Sequence, residues 1–234
     1  MFLQPFFNET TLGVEISPAQ ASAFAKQVAG DFNPIHDEGA KRFCVPGDLL
    51  FALAVSKYGL HQKMHFSFDG MVGAGVCLQF PDSAESLAIT DSRDKQYLSV
   101  QQTGSASHCA AQIESFVRGY VAFSGLNFTH VVVPLMQAHQ VMINPDRPLV
   151  IYDSMSVELT DLAFVDVELE LVSKTLRIDG KRGDVTLEFA LNSDGKQVGT
   201  GRKTLVLSGL RPLEEDKVAQ MCQAYDARRT QLSA

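Results

Sequence analysis

The chain has 234 residues, 45% hydrophobic and 20% charged, with a formal net charge of −7. This length and balance suit one large domain or two small ones sharing a core, and they argue against extended disorder. The negative charge, with basic residues only in scattered pairs such as Lys41-Arg42 and Arg202-Lys203, argues against a nucleic-acid surface. No apolar run approaches the roughly 20 residues of a membrane span. The opening segment is apolar but lacks a basic n-region and a small-residue cleavage site, so a cytoplasmic location is expected. Cys44, Cys77, Cys109 and Cys222 lie far apart in the chain, which predicts free buried thiols rather than a zinc knuckle or disulfide framework.

Ser17-Pro18-Ala19-Gln20 reads as a helix start. Ser17 caps, Pro18 suits the first helical position and Gln20 completes a capping box. Ala21, Phe24, Ala25 and Val28 then fall on one stripe, and Gly30 is placed to end the helix in a left-handed conformation. A second helix is predicted over residues 49–58, after Pro46-Gly47 and with Asp48 as N-cap. Its run from Leu49 to Val55 is apolar without a break, so this helix must be buried on all sides.

Phe66–Phe80, Gln96–Thr103 and Ala110–Ser124 are expected as strands, separated by turn-forming breaks. A shorter helix is expected within Leu135–Ile143, between Pro134 and Pro145. Period-two alternation marks strands over Val165–Leu171 and Val185–Leu191. Asn192-Ser193-Asp194-Gly195 supplies a hairpin turn into a strand over Val198–Leu207. A final helix is expected from Pro212 to about Arg229, with Val218, Met221, Cys222 and Tyr225 as its packing stripe and a structural role. The pattern is α+β: a buried helix wrapped by a curved antiparallel sheet, then a second half repeating the strand portion. The halves share an order of elements but no residue-level repeat.

The segment that carries chemistry runs from Phe24 to His36. Asp31 and His36 flank Asn33-Pro34, and proline pushes the preceding residue away from helical geometry. The turn can therefore fold back and aim both side chains at one spot. A carboxylate and an imidazole sharing one water form a general acid–base pair.

The run Ala29-Gly30-Asp31-Phe32-Asn33-Pro34-Ile35-His36 resembles the signature of the MaoC-like R-specific enoyl-CoA hydratases. Phe43 and Pro46 resemble the Phe-x-x-Pro element before the buried helix of that family. The motif spans Phe24 to Pro46, about a tenth of the chain; the order of elements extends a weaker likeness to about Ser124. The resemblance implies a hotdog fold, here a double one. Its N-terminal unit would be 1–125, a degenerate unit 126–211 and a C-terminal helix 212–234.

It also implies that Asp31 and His36 are catalytic and activate water for addition to an enoyl thioester. Asn33 would brace the turn at the substrate site. A backbone N–H near Gly47 would meet the developing enolate oxygen. The implied partner is a thioester of coenzyme A or of acyl carrier protein, with no metal and no further cofactor. One site per chain is expected, and a homodimer is common for the fold. Two departures stand out: the segment between His36 and the buried helix is short, and Pro46-Gly47-Asp48-Leu49 replaces the usual His-Gly pair. They motivate two alternatives, a non-catalytic thioester- or partner-binding protein and a hotdog thioesterase. His61 and His65, four apart, lack an adjacent acidic group for a metal site. Gly70, Gly73 and Gly75 lie in a strand-like stretch, where glycine allows sheet and helix to approach.

Overall fold

The structure is a computed structural model that describes residues 2–126 and 128–232. A 3-10 turn, Gln4–Phe6, precedes a hairpin of β1 (Asn8–Thr10) and β2 (Gly13–Glu15). Helix α1 (Pro18–Phe24) starts as its sequence predicts. Ser17 Oγ accepts the Gln20 N–H at 3.2 Å, and Gln20 Oε1 accepts the Ser17 N–H at 3.0 Å. The helix widens into a π-helical turn over Ala25–Ala29 and stops at Gly30, whose φ is +66°. A 3-10 turn, Pro34–His36, leads to α2 (Gly47–Tyr58). Strands β3 (Leu60–Ser67), β4 (Cys77–Leu78), β5 (Ser86–Thr90) and β6 (Gln96–Ser107) follow.

Helix α3 (Ala110–Gly125) comes next. A π-helical turn, Phe128–Val132, runs into α4 (Val133–Ala138). Then come β7 (Val141–Met142), β8 (Val150–Leu159), β9 (Glu168–Asp179), β10 (Arg182–Ser193), β11 (Lys196–Ser208), β12 (Arg211–Pro212) and α5 (Glu215–Leu232).

Three expectations are corrected. Ala110–Ser124 is helix, not strand. Ile113, Phe116, Val117, Tyr120 and Val121 are buried at helical spacing, and the apolar content had masked that period. The stretch expected as strand over Phe66–Phe80 is mostly loop between β3 and β4; Gly73 and Gly75 stand in open space and bring no sheet and helix together. The cysteines are free but not all buried: Cys44 is buried, Cys109 is exposed, and the other two are intermediate.

Seven strands form one antiparallel sheet in the order β5-β6-β3-β8-β11-β10-β9. A small sheet, β1-β2-β4, reaches β5 through one bridge, Gln79 to Thr90. Counted outward from the junction, the first half therefore runs β3, β6, β5, β4 and the second runs β8, β11, β10, β9. Each half places its first, fourth, third and second strand in the same succession. The halves join where β3 pairs with β8, Met64 opposite Val157 and Phe66 opposite Met155. The hairpin from β10 to β11 turns at Asp194 and Gly195, both at positive φ, as that turn sequence predicts.

The helices fill one face of this sheet. Phe51 of α2 packs edge-on against Phe66 of β3 at 5.1 Å between centroids, and also meets Phe116 and Tyr120 of α3. Every residue from Leu49 to Val55 is buried, as an all-apolar helix requires. Fully burying each large side chain contributes about 1.5–3 kcal/mol. Phe189 on β10 continues this core toward α3, while Leu187, two residues away on the same strand face, belongs to a second cluster beneath α4 and α5. Among the described residues no single helix is long and apolar enough to cross a membrane.

Candidate active site

The π-helical turn delivers the Asp31–His36 segment. The Asp31 N–H reaches back to the Ala25 carbonyl at 2.8 Å, so the chain leaves the helix already curling. Asn33 is extended, as the residue before proline must be. Its Oδ1 accepts the Ile35 N–H at 3.2 Å, and its own N–H donates to Asp31 Oδ1 at 2.9 Å. Asn33 thus holds the turn through its side chain and its N–H, and it also lines the cavity below.

His36 is buried, with Nδ1 2.6 Å from the Cys44 carbonyl. A carbonyl oxygen only accepts, so Nδ1 carries the proton and Nε2 keeps a free lone pair when the ring is neutral. Nε2 lies 3.6 Å from Asp31 Oδ2. That gap is too long for a strong direct hydrogen bond and leaves both atoms able to touch one small molecule.

Three outside contacts hold the turn. Asp37 pairs with Lys26 at 2.8 Å and with Arg228 of α5 at 3.2 Å. The Tyr225 hydroxyl, also on α5, accepts the Phe32 N–H at 3.1 Å and lies 3.4 Å from Asp31 Oδ1. Burial and the neighbouring Asp31 carboxylate raise the Tyr225 phenol well above its ordinary value, which keeps it a neutral donor. The final helix, expected to be structural alone, therefore reaches the candidate site. At the third contact, α3 ends against the turn: a Cβ added to Gly125 would overlap the Ala29 carbonyl.

Asp31, His36 and Gly47 all line one cavity of about 300 Å³. Gly47 opens α2; the Leu49 N–H reaches the Pro46 carbonyl at 3.0 Å, while those of Gly47 and Asp48 have no intrahelical acceptor. At Gly47 the lack of a side chain is required: a Cβ would come within 2.9 Å of the Tyr152 ring, which stacks on Phe68 at 4.0 Å.

Asp48 is not the N-cap. The helix begins at Gly47, with Pro46 at the cap, so Asp48 sits inside the first turn and its side chain turns inward. It accepts a hydrogen bond from Ser124 Oγ at 2.6 Å, and Ser124 in turn accepts from the buried Lys203 Nζ. Tyr120 and Tyr152 share a hydroxyl–hydroxyl contact nearby, and Lys203 Nζ stands 4.0 Å from the Tyr152 ring centroid. Burial raises the Asp48 carboxyl, with Lys203 and Ser124 opposing the shift, and lowers the Lys203 ammonium, with Asp48 opposing.

Sequence reasoning missed Lys203, Ser124 and Tyr225. Lys203 did leave a signal: Gly201, Lys203, Leu205 and Leu207 share one face of β11, so a charge stands where an apolar residue is due. His61 and His65 do not converge. His61 Nε2 meets the Tyr58 carbonyl, and His65 Nε2 meets Ser67 Oγ.

The family model described as protein of unknown function (DUF3581) matches residues 1–216. The chain belongs to the DUF3581 family. No curated protein matches this DUF3581 chain. Among solved structures it is similar to a TesB protein from Mycobacterium avium subs paratuberculosis, with a TM-score of 0.45 and 11% identity, covering 72% of this chain and 89% of that one. A MaoC-like dehydratase gives a TM-score of 0.44 and 9% identity over 87% and 98%. The acyl-CoA thioesterase II TesB2 from Mycobacterium marinum gives 0.43 and 11% over 91% and 98%. At these scores neither the folds nor the titles of those proteins bear on what the DUF3581 chain does. Its chemistry has to be read from its own cavity, where a carboxylate and an imidazole face one space beside a helix start.

Proposed function

We propose that this DUF3581 protein is a double-hotdog hydratase or dehydratase, interconverting enoyl and 3-hydroxyacyl thioesters with Asp31 and His36 as its acid–base pair. The observation that carries it is the 3.6 Å approach of His36 Nε2 to Asp31 Oδ2, with Nδ1 committed to the Cys44 carbonyl. The matched strand succession of the two halves supports the double hotdog. Water held between the two side chains gives its oxygen to the β-carbon and a proton to the pair. The pair then returns a proton to the α-carbon, so that one water is added overall. A free N–H at the start of α2, by Gly47, faces the thioester oxygen as it gains charge. The carrier is coenzyme A or acyl carrier protein.

One observation favours a different activity. Asp48 turns into the cavity beside Gly47, where an ionised carboxylate would oppose an enolate. The same Asp31–His36 water would then serve thioester hydrolysis, or the cavity would bind a thioester unchanged. Hydration of crotonyl-CoA, followed by loss of enoyl-thioester absorbance, separates these. Wild type is expected to turn over, and Asp31→Ala or His36→Ala to lose about 10²- to 10⁴-fold, the usual contribution of general acid–base catalysis. Full activity in either variant overturns the assignment; release of free thiol from a saturated acyl-CoA points to hydrolysis.

A further inference from the structure

The chemistry assigned to Asp31 and His36 makes no use of Lys203, Ser124 and Asp48, which line the same cavity. Lys203 is 3% exposed and Asp48 is 7% exposed. Lys203 Nζ donates to Ser124 Oγ and lies over the Tyr152 ring, and Ser124 donates to Asp48 Oδ2. Asp48 Oδ1 is buried with no partner. Burying an ammonium and a carboxylate is costly, and folding does not demand either here. Leu205 and Leu207 continue the face of β11 that Lys203 occupies, so an apolar residue would suit the sheet at position 203. A polar pair that the fold does not need, with an unfilled acceptor, points to a ligand group.

We infer that Lys203, Ser124 and Asp48 form a specificity floor that selects an acyl group carrying a hydroxyl beyond the reacting carbons, in preference to an unsubstituted alkyl chain. This rests on the acyl-thioester reading of the cavity and deepens it. A hydroxyl accepts from the ammonium and donates to the carboxylate, matching the Lys203 N–H left over beyond Ser124 and the unfilled Asp48 Oδ1. An alkyl chain would displace water and leave both groups short of partners. A carboxylate on the acyl group fits worse. Lys203 is already balanced by Asp48, and Asp31 and Asp69 also line the cavity, so no surplus positive charge awaits an anion. Burial shifts both groups toward their neutral forms, and each group opposes the shift in the other.

The test is calorimetric binding of two non-reactive probes, S-hexyl-CoA and S-(6-hydroxyhexyl)-CoA, with the butyl and 4-hydroxybutyl pair beside them. Wild-type full chain is expected to bind at least one hydroxylated probe about tenfold or more tighter than its alkyl partner, since a site built to hydrogen-bond rejects the analogue lacking that group. Lys203→Met is expected to erase or invert the preference. Should that variant fail to fold, Asp48→Asn, which keeps the shape, is expected to cut the ratio at least several-fold. Equal binding of alkyl and hydroxyalkyl probes to wild type, or a ratio unmoved in the variants, overturns the specificity floor and leaves the thioester site standing. Absence of binding by all four probes removes coenzyme A thioesters from the cavity, and the floor, inferred here as a selector of them, falls with that.

Discussion

At the residue scale, one side chain is fixed by what its second ring nitrogen touches. His36 donates a hydrogen bond from Nδ1–H to the Cys44 carbonyl, and that single contact sets the tautomer that leaves the Nε2 lone pair facing the cavity. Cys44 itself is no candidate nucleophile. Burial pushes its thiol up to about 11, with a backbone hydrogen bond only partly opposing the shift. Because thiolate is the reactive form, Cys44 is expected to be the slowest of the four cysteines to be alkylated at pH 8, and the exposed Cys109 the fastest. Mass spectrometry after timed iodoacetamide pulses reads that order directly; early labelling of Cys44 in the folded protein would contradict it. Asp31 and His36 were legible as a pair because the Gly-Asp-x-Asn-Pro-x-His register is local. Tyr225 was not, since nothing in a helix 194 residues later says which turn its hydroxyl will meet.

At the element scale, the site depends on how closely α3 can approach the Asp31 turn. Gly125 ends that helix against the Ala29 carbonyl and receives the Tyr225 hydroxyl at its own carbonyl, 3.4 Å away. Any side chain there must displace backbone rather than a flexible group. Gly125→Ala is therefore expected to destabilise the protein by about 3 kcal/mol, the upper end for overpacking. It is also expected to reduce turnover even where the variant stays folded, because the displaced backbone carries Asp31. Urea unfolding and crotonyl-CoA hydration measured on one preparation check both halves, and an alanine variant as stable and active as wild type would show that the crossing is looser than drawn. The composition of α3 favours a strand, although the segment is helical. Tyr120, Val121 and Val117 are β-favouring residues, and only their spacing, visible now as a buried stripe, reveals the helical period.

At the scale of the whole molecule, the cavity is built from segments far apart in the chain. Asp31, His36 and Asp48 precede β3, while Ser124, Tyr152, Lys203 and the supporting Tyr225 follow β6. The buried Asp48–Lys203 pair also couples stability to pH. The Asp48 carboxyl is raised from 3.8 by burial, so the folded state holds its proton longer than the unfolded chain does. Its stabilising contribution is complete below pH 3.8 and is lost as pH rises through the folded-state value. Lys203 acts in the opposite sense: its ammonium is lowered from 10.5, so stability is gained as pH rises from its folded-state value toward 10.5. Lys203, Ser124, Asp31 and His36 are the groups acting on Asp48, so the carboxyl can be isolated by comparison with Asp48→Asn. Between pH 4 and 8, wild type is expected to lose stability relative to that variant as pH rises. Urea midpoints that run parallel across the range would show that Asp48 does not titrate abnormally.

The sequence by itself determined the local features. The capping box at Ser17, the left-handed stop at Gly30, the brace at Asn33, the burial of an all-apolar α2 and the turn at Asp194-Gly195 each depend on residues within a few positions of one another. Their energetics are set by backbone angles, short-range hydrogen bonds and periodicity. What only the tertiary structure decided are the facts that depend on long-range closure. These are the pairing of β3 with β8, the inward turn of Asp48, and the arrival of Lys203 and Tyr225 at a turn formed far earlier in the chain. A buried charge is tolerated only where distant partners meet it, and no local pattern records which partners those will be.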